Sequence, residues 1–148
     1  MSSKLPKIII VDACILFSFF KKDSLRRDLV ERLPNLGCIL ISPGFVFEEL
    51  LKDKEKIKEF CGVDEKEFVF LFSLLEKKIE TFPKEDYAGF LDKAKGISPH
   101  GRKISKDDPY FALALSLNCT IWSDEKAFKN QSRVKVLSTP ELKEFLTE

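Results

Sequence analysis

Short β-branched and apolar runs alternate with helix-patterned stretches along this chain, and that alternation limits its folds more than any other feature. Residues 7–11, KIIIV, read as a strand buried on both faces, since no polar residue interrupts the apolar run. The runs CILIS at 38–42, KIETF at 78–82, CTIW at 119–122 and VKVLS at 134–138 read as further strands. Strands joined by helical crossovers pair in parallel. The expectation is one domain over residues 1–148, a three-layer α/β/α sandwich around a mostly parallel sheet.

The intervening segments carry helix signals. Ser24 opens a helix that Pro34 and Gly37 close, and Asp64 caps another with an apolar stripe at Phe68, Leu71, Phe72 and Leu75. Pro43 is expected to open a helix at its first turn, continuous through the charged stretch near residue 60, and Pro83 a second running to about Lys95. Further helices are expected at 107–117, 124–129 and 140–146. Residues 96–106, GISPHGRKISK, read as a polar, basic loop.

Composition narrows the function. With 44% hydrophobic and 33% charged residues in 148, the chain is neither a disordered tail nor a membrane protein. Lys plus Arg number 25 against 24 for Asp plus Glu, so bulk charge does not drive it onto nucleic acid. The apolar run at 8–20 is broken by Asp12 and falls short of the ~20 residues that span a bilayer. The four cysteines form no Cys-x-x-Cys pair, and His100 has no metal-ligand spacing to them. They read as small buried hydrophobes in a reduced, cytoplasmic protein.

Open parallel sheets bind ligands outside the carboxyl ends of their strands. Acids cluster at those places in the sequence. Asp12 follows the first strand, Glu48 and Glu49 lie on the helix after the second, Asp107 and Asp108 open the helix feeding the fourth, and Asp124 and Glu125 follow that strand. Each has a local alternative: Asp12, Asp107, Asp108, Asp124 and Glu125 as helix caps, and Glu48 and Glu49 as solvated helix residues. Gathered in one crevice, however, carboxylates about 5 Å apart repel by roughly 3 kcal/mol per pair at an effective dielectric near 20. A divalent cation with oxygen ligands relieves that repulsion, and such sites activate water for attack on a phosphodiester.

The segments VDACIL at 11–16, EEL at 48–50, DDPYFALAL at 107–115, IWSDEKAF at 121–128 and VKVLSTPEL at 134–142, in this order and spacing, resemble the PIN domain family. These are metal-dependent ribonucleases of toxin–antitoxin systems (VapC-like toxins) and of RNA processing. The resemblance implies a Mg²⁺ or Mn²⁺ site in which Asp12, Glu49 and Asp107 are the first three acids. The fourth position is shared by Asp124 and Glu125, with Asp124 favoured because its shorter side chain suits a compact metal site. It further implies RNA as substrate, frequently a homodimer and, in the toxin branch, an antitoxin protein as partner. Two positions depart from the family pattern: Cys14 stands where Asn is common, and Ala127 where the last motif has a second acid. His100, Arg102, Lys103 and Lys106, and separately Lys126, Lys129, Arg133 and Lys135, offer basic groups for phosphate contact. The leading expectation is a Mg²⁺/Mn²⁺-dependent endoribonuclease, and the alternative a catalytically degenerate RNA- or protein-binding module of the same fold. A phosphatase with an aspartyl nucleophile ranks last, because Cys14 fills the place of its general acid.

Overall fold

The computed structural model describes residues 4–99 and 106–147. Five strands form one all-parallel sheet: β1 (Ile8–Val11), β2 (Ile39–Pro43), β3 (Ile79–Phe82), β4 (Thr120–Trp122) and β5 (Val136–Leu137), in the order β3-β2-β1-β4-β5. The helices among the described residues are α1 (Ala13–Phe19), α2 (Leu25–Asn35), α3 (Val46–Lys52), α4 (Lys54–Cys61), α5 (Glu65–Lys78), α6 (Leu91–Lys95), α7 (Asp108–Leu117) and α8 (Thr139–Thr147). None is long and apolar enough to cross a membrane.

Alternation along the strands builds a core on each side of the sheet. Ile9 and Val11 pack with α1, α2, α5 and α8 residues on one face, whereas Ile10, Ile41 and Ile121 pack with α7 on the other. Phenylalanines fill both faces: on the first, Phe20 stacks on Phe68 at 4.9 Å between ring centroids and Phe68 on Phe72 at 5.8 Å, and on the second Phe111 meets Phe128 at 5.0 Å. The three-layer α/β/α architecture with a parallel sheet is therefore the observed one.

Local details differ from expectation in four places. Pro43 ends β2 rather than opening a helix; its missing N–H is tolerated there, and α3 begins at Val46. The helix expected to run unbroken to residue 60 divides at Asp53, which closes α3 and opens α4. After Pro83 the chain makes two 3₁₀ turns, Lys84–Asp86 and Ala88–Phe90, because Tyr87 (φ −127°) and Phe90 (φ −108°) leave helical geometry, and only Leu91–Lys95 is α-helical. Residues expected as a helix at 124–129 form a 3₁₀ turn at Lys126–Lys129. The caps at Ser24 and Asp64 form as expected, each side chain accepting from the backbone N–H three residues on. A further capping box fixes α8: the Ser138 N–H donates to Glu141 Oε1 at 2.9 Å, and the Glu141 N–H to Ser138 Oγ at 3.3 Å.

Of the cysteines, only Cys38 is buried; Cys14 is exposed, and all four are free thiols. The apolar letters around Cys14 mislead because α1 buries one stripe, Ile15, Leu16 and Phe19, and turns Cys14 toward the crevice.

Candidate active site

The chain runs from β1 outward through β2 to β3, then returns to place β4 on the other side of β1. The reversal lies between β1 and β4, and their carboxyl ends are where such a sheet binds ligands. Val11 pairs with Trp122, so the residues that follow, Asp12 and the segment Ser123–Glu125, leave the sheet side by side. The Asp12 N–H donates to the Trp122 carbonyl at 3.1 Å, and the Ser123 hydroxyl donates to Asp12 Oδ2 at 2.8 Å. Ser123 Oγ in turn accepts from the Glu125 N–H at 3.1 Å. One hydroxyl thus ties the first acid to the loop that carries the last.

A cavity of about 490 Å³ opens here, lined by Asp12, Glu49, Asp107 and Glu125. Asp53, Lys106, Arg26 and Cys14 also border it. Asp12 stands just before α1 and Asp107 just before α7, yet neither side chain makes a capping hydrogen bond. The capping explanation therefore does not account for either. Asp12 is 5% exposed. Burial pushes its carboxyl up to about 6; the Ser123 hydroxyl partly offsets this, and the charges of Asp107 and Glu125 push it further. Holding Asp12 ionised in the folded chain at pH 7 costs on the order of 3 kcal/mol. Ser123→Ala removes the donor that favours the carboxylate, so the Asp12 titration, followed by carboxyl-carbon NMR, moves above about 6. That change costs about 1 kcal/mol of stability.

Asp124 is placed differently. Its Oδ2 accepts from Arg26 Nε at 2.8 Å and pairs with Arg26 Nη2 at 2.7 Å, while Oδ1 accepts from the Thr139 N–H at 2.6 Å. The Thr139 hydroxyl also donates to Oδ2, at 2.5 Å. Burial alone would raise the Asp124 carboxyl, but the Thr139 and Arg26 bonds outweigh it and hold it below the ordinary aspartate value. Asp124 does not line the cavity, whereas Glu125, one residue on, does. The sequence argument favoured Asp124 for its short side chain; the geometry turns it outward to tie α2 and α8 to the β4 loop.

Asp53 was missed in the sequence, although its signal was there. It lies four residues after Glu49, the spacing of one helical face, and as the residue that closes α3 it borders the cavity. Lys106 reaches Glu49 Oε2 at 3.0 Å, and its side chain is 78% exposed, so the pair is weak and easily exchanged. His100, Arg102 and Lys103 lie outside the described residues. Arg133 and Lys135 line a different cavity, around the start of β4, whereas Lys126 and Lys129 border one beside Asp124 and Glu125.

Among the described residues, no group of three or more His, Cys, Asp or Glu side chains forms a ready coordination shell. The cavity is nevertheless rich in carboxylates, and burial, followed by the charges of Asp107 and Glu125, raises the Asp12 carboxyl. Mg²⁺ keeps several waters and binds proteins through one or two carboxylates, so an open crevice rich in carboxylates fits it without a closed cage.

Fold and crevice together define an α/β/α protein with an acidic site at the topological switch point of a parallel sheet. Residues 10–146 match the model of the PIN domain, and the chain belongs to that family. Among solved structures it is similar to a chain of VapBC2 from Rickettsia felis, determined bound to a DNA fragment from their promoter. The TM-score is 0.66 at 12% identity, over 88% of this chain and 98% of that one. At that identity the likeness establishes the shared fold. No curated protein sequence matches the chain.

Proposed function

We propose that this PIN domain is a Mg²⁺- or Mn²⁺-dependent endoribonuclease whose ion is held by Asp12, Glu49 and Asp107, with Glu125 completing the site. The observation that carries this reading is the convergence of four carboxylates from four separate segments on one cavity, with the Asp12 carboxyl raised to about 6. Carboxylates drawn together in one crevice repel one another, and a divalent cation is the counter-charge that hard oxygen donors select. When bound, it supplies electrostatic stabilisation of the phosphodiester and a lowered pKa for the attacking water. The chain supplies the orientation. Ser123 fixes the Asp12 carboxylate, the β1–β4 pairing sets its distance to the Glu125 loop, and Lys106 stands at the rim where an RNA phosphate competes for it. No side-chain nucleophile is needed, and the Cys14 thiol, raised by partial burial at the cavity and then by Asp12 and Glu125, is held protonated.

A cytoplasmic VapC-like toxin acting with an antitoxin is the biological setting we infer, because the similar solved structure carries the name of such a pair. A homodimer belongs to the same inference: Val69 and Phe70 on α5 and Phe60 on α4 are exposed large hydrophobics.

Two measurements test the reading. Labelled single-stranded RNA is expected to be cut with Mn²⁺ or Mg²⁺ and left intact with EDTA. Mn²⁺ at about a hundred times its dissociation constant is expected to stabilise the fold by about 2.7 kcal/mol, visible as a rise in melting temperature. An unchanged melting curve overturns the metal site. Metal binding without cutting under any condition favours the binding-module alternative and points to Cys14 and Ala127.

A further inference from the structure

A second cavity, of about 630 Å³, backs onto the acidic one at the carboxyl ends of β2 and β3, where Gly44 and Pro83 leave the sheet. Phe45 borders both cavities. Successive residues on two segments divide between them: Glu49 and Asp107 line the first, Glu48 and Asp108 the second. Lys84, Lys95 and Tyr87 also line the second cavity.

Asp108 is 3% exposed, and its Oδ1 accepts from the buried Ser98 hydroxyl at 2.5 Å. Its Oδ2 is buried with no hydrogen-bond partner among the described residues. A buried carboxylate oxygen lacking a donor is costly, and natural proteins rarely leave one so without a role. The cavity it lines brings together two carboxylates (Asp108 and Glu48), two lysines and an aromatic side chain, Phe45, that also borders the acidic site. Neither lysine has an ion-pair partner among the described residues.

That combination suits a nucleotide. Lysines take phosphate, an aromatic side chain stacks an unstacked base, and a carboxylate accepts from the amino group of guanine, adenine or cytosine, which uracil lacks. The volume lies in the range of small-molecule sites. We propose that this cavity holds a nucleotide of the RNA neighbouring the scissile phosphate, with Lys84 and Lys95 on its phosphates, Phe45 against its base, and Asp108 and Glu48 selecting an amino-bearing base over uracil. The inference rests on the ribonuclease reading, since it requires one RNA strand to cross Phe45 from one cavity into the next.

The test measures binding without cleavage, using the Asp12→Asn protein in EDTA and fluorescein-labelled single-stranded RNA hexamers of uniform sequence (A6, C6 and U6), read by anisotropy. The expected result is preference for A6 and C6 over U6. The Lys84→Ala/Lys95→Ala double variant should then bind about tenfold more weakly, with the salt slope lowered by roughly 1.4, as for two lost phosphate contacts on a single strand. Asp108→Asn should flatten the base preference. Glu48→Gln, on an exposed helix position and so safe for folding, should flatten it in part. RNA binding that none of these changes alters would overturn the second site and leave the nuclease reading standing. Absence of binding to any hexamer, together with absence of cleavage by the unmodified protein, would overturn both.

Discussion

Asp12→Asn is expected to abolish RNA cleavage, by more than about a hundredfold, and to make the metal-free protein more stable. The two effects share one cause. Burial, and then the charges of Asp107 and Glu125, raise the Asp12 carboxyl to about 6 against an ordinary value of 3.8. A carboxyl whose folded value lies above its unfolded value binds a proton more tightly when folded, so stability is lost as pH rises from about 4 through about 6. Above that window the full penalty, on the order of 3 kcal/mol, is present. Asn keeps the shape and still accepts from the Ser123 hydroxyl, yet carries no charge. In EDTA the variant should therefore melt higher than the parent at pH 7 and converge with it below pH 4. For a chain of this length, 3 kcal/mol corresponds to roughly 10 °C. The rise in melting temperature produced by Mn²⁺ should vanish in the variant. A variant that melts lower than the parent at pH 7 in EDTA would contradict the electrostatic account of the site.

The second large effect separates two neighbouring acids. Glu125→Gln should lower cleavage by about 10- to 100-fold while leaving the fold intact, because its carboxylate faces the cavity and contributes to the charge on Asp12. Asp124→Ala should do the reverse. It removes the acceptor for Arg26 and for both Thr139 donors, a loss of about 2–3 kcal/mol in which the unpaired guanidinium carries a large part. Its effect on cleavage should be modest and follow from a loosened β4 loop. The acid side supplies a check on sign. Asp124 is held below its ordinary value when folded, so its contribution is present above about pH 4 and fades as pH falls through the lower folded value. The gap between parent and Asp124→Ala in urea denaturation should therefore narrow in strong acid. Equal losses of cleavage in Asp124→Asn and Glu125→Gln, with unchanged stability in both, would return Asp124 to the site.

The architecture was legible because it is written in local pattern. Uninterrupted apolar runs such as residues 8–11 and 39–42 can be satisfied only by strands covered on both faces, and helix-length connections between them leave parallel pairing as the solution. The same logic located Asp12, Glu49 and Asp107 beyond strand ends, where a parallel sheet opens a crevice. The elements after Pro43 and Pro83 were harder to place, since proline limits its own φ and N–H without saying whether the chain extends or coils beyond it.

Which of Asp124 and Glu125 lines the crevice was beyond the reach of the sequence. Asp124 and Glu125 are adjacent, and adjacent side chains diverge in any extended segment, so one of them must face away from the crevice. Which one depends on Arg26, 98 residues earlier, and on the N–H of Thr139, 15 residues later; these hold Asp124 and leave Glu125 to the cavity. The same holds for the buried oxygen of Asp108, without a partner among the described residues, and for the two cavities that meet at Phe45. Local sequence determined the sheet, its covering helices and the strand ends that bear acids, because period and turn chemistry act over a few residues. Only the tertiary structure decided which carboxylates share a crevice and which are neutralised by a distant cation, because Coulomb and hydrogen-bond energies depend on distances that chain separation does not encode.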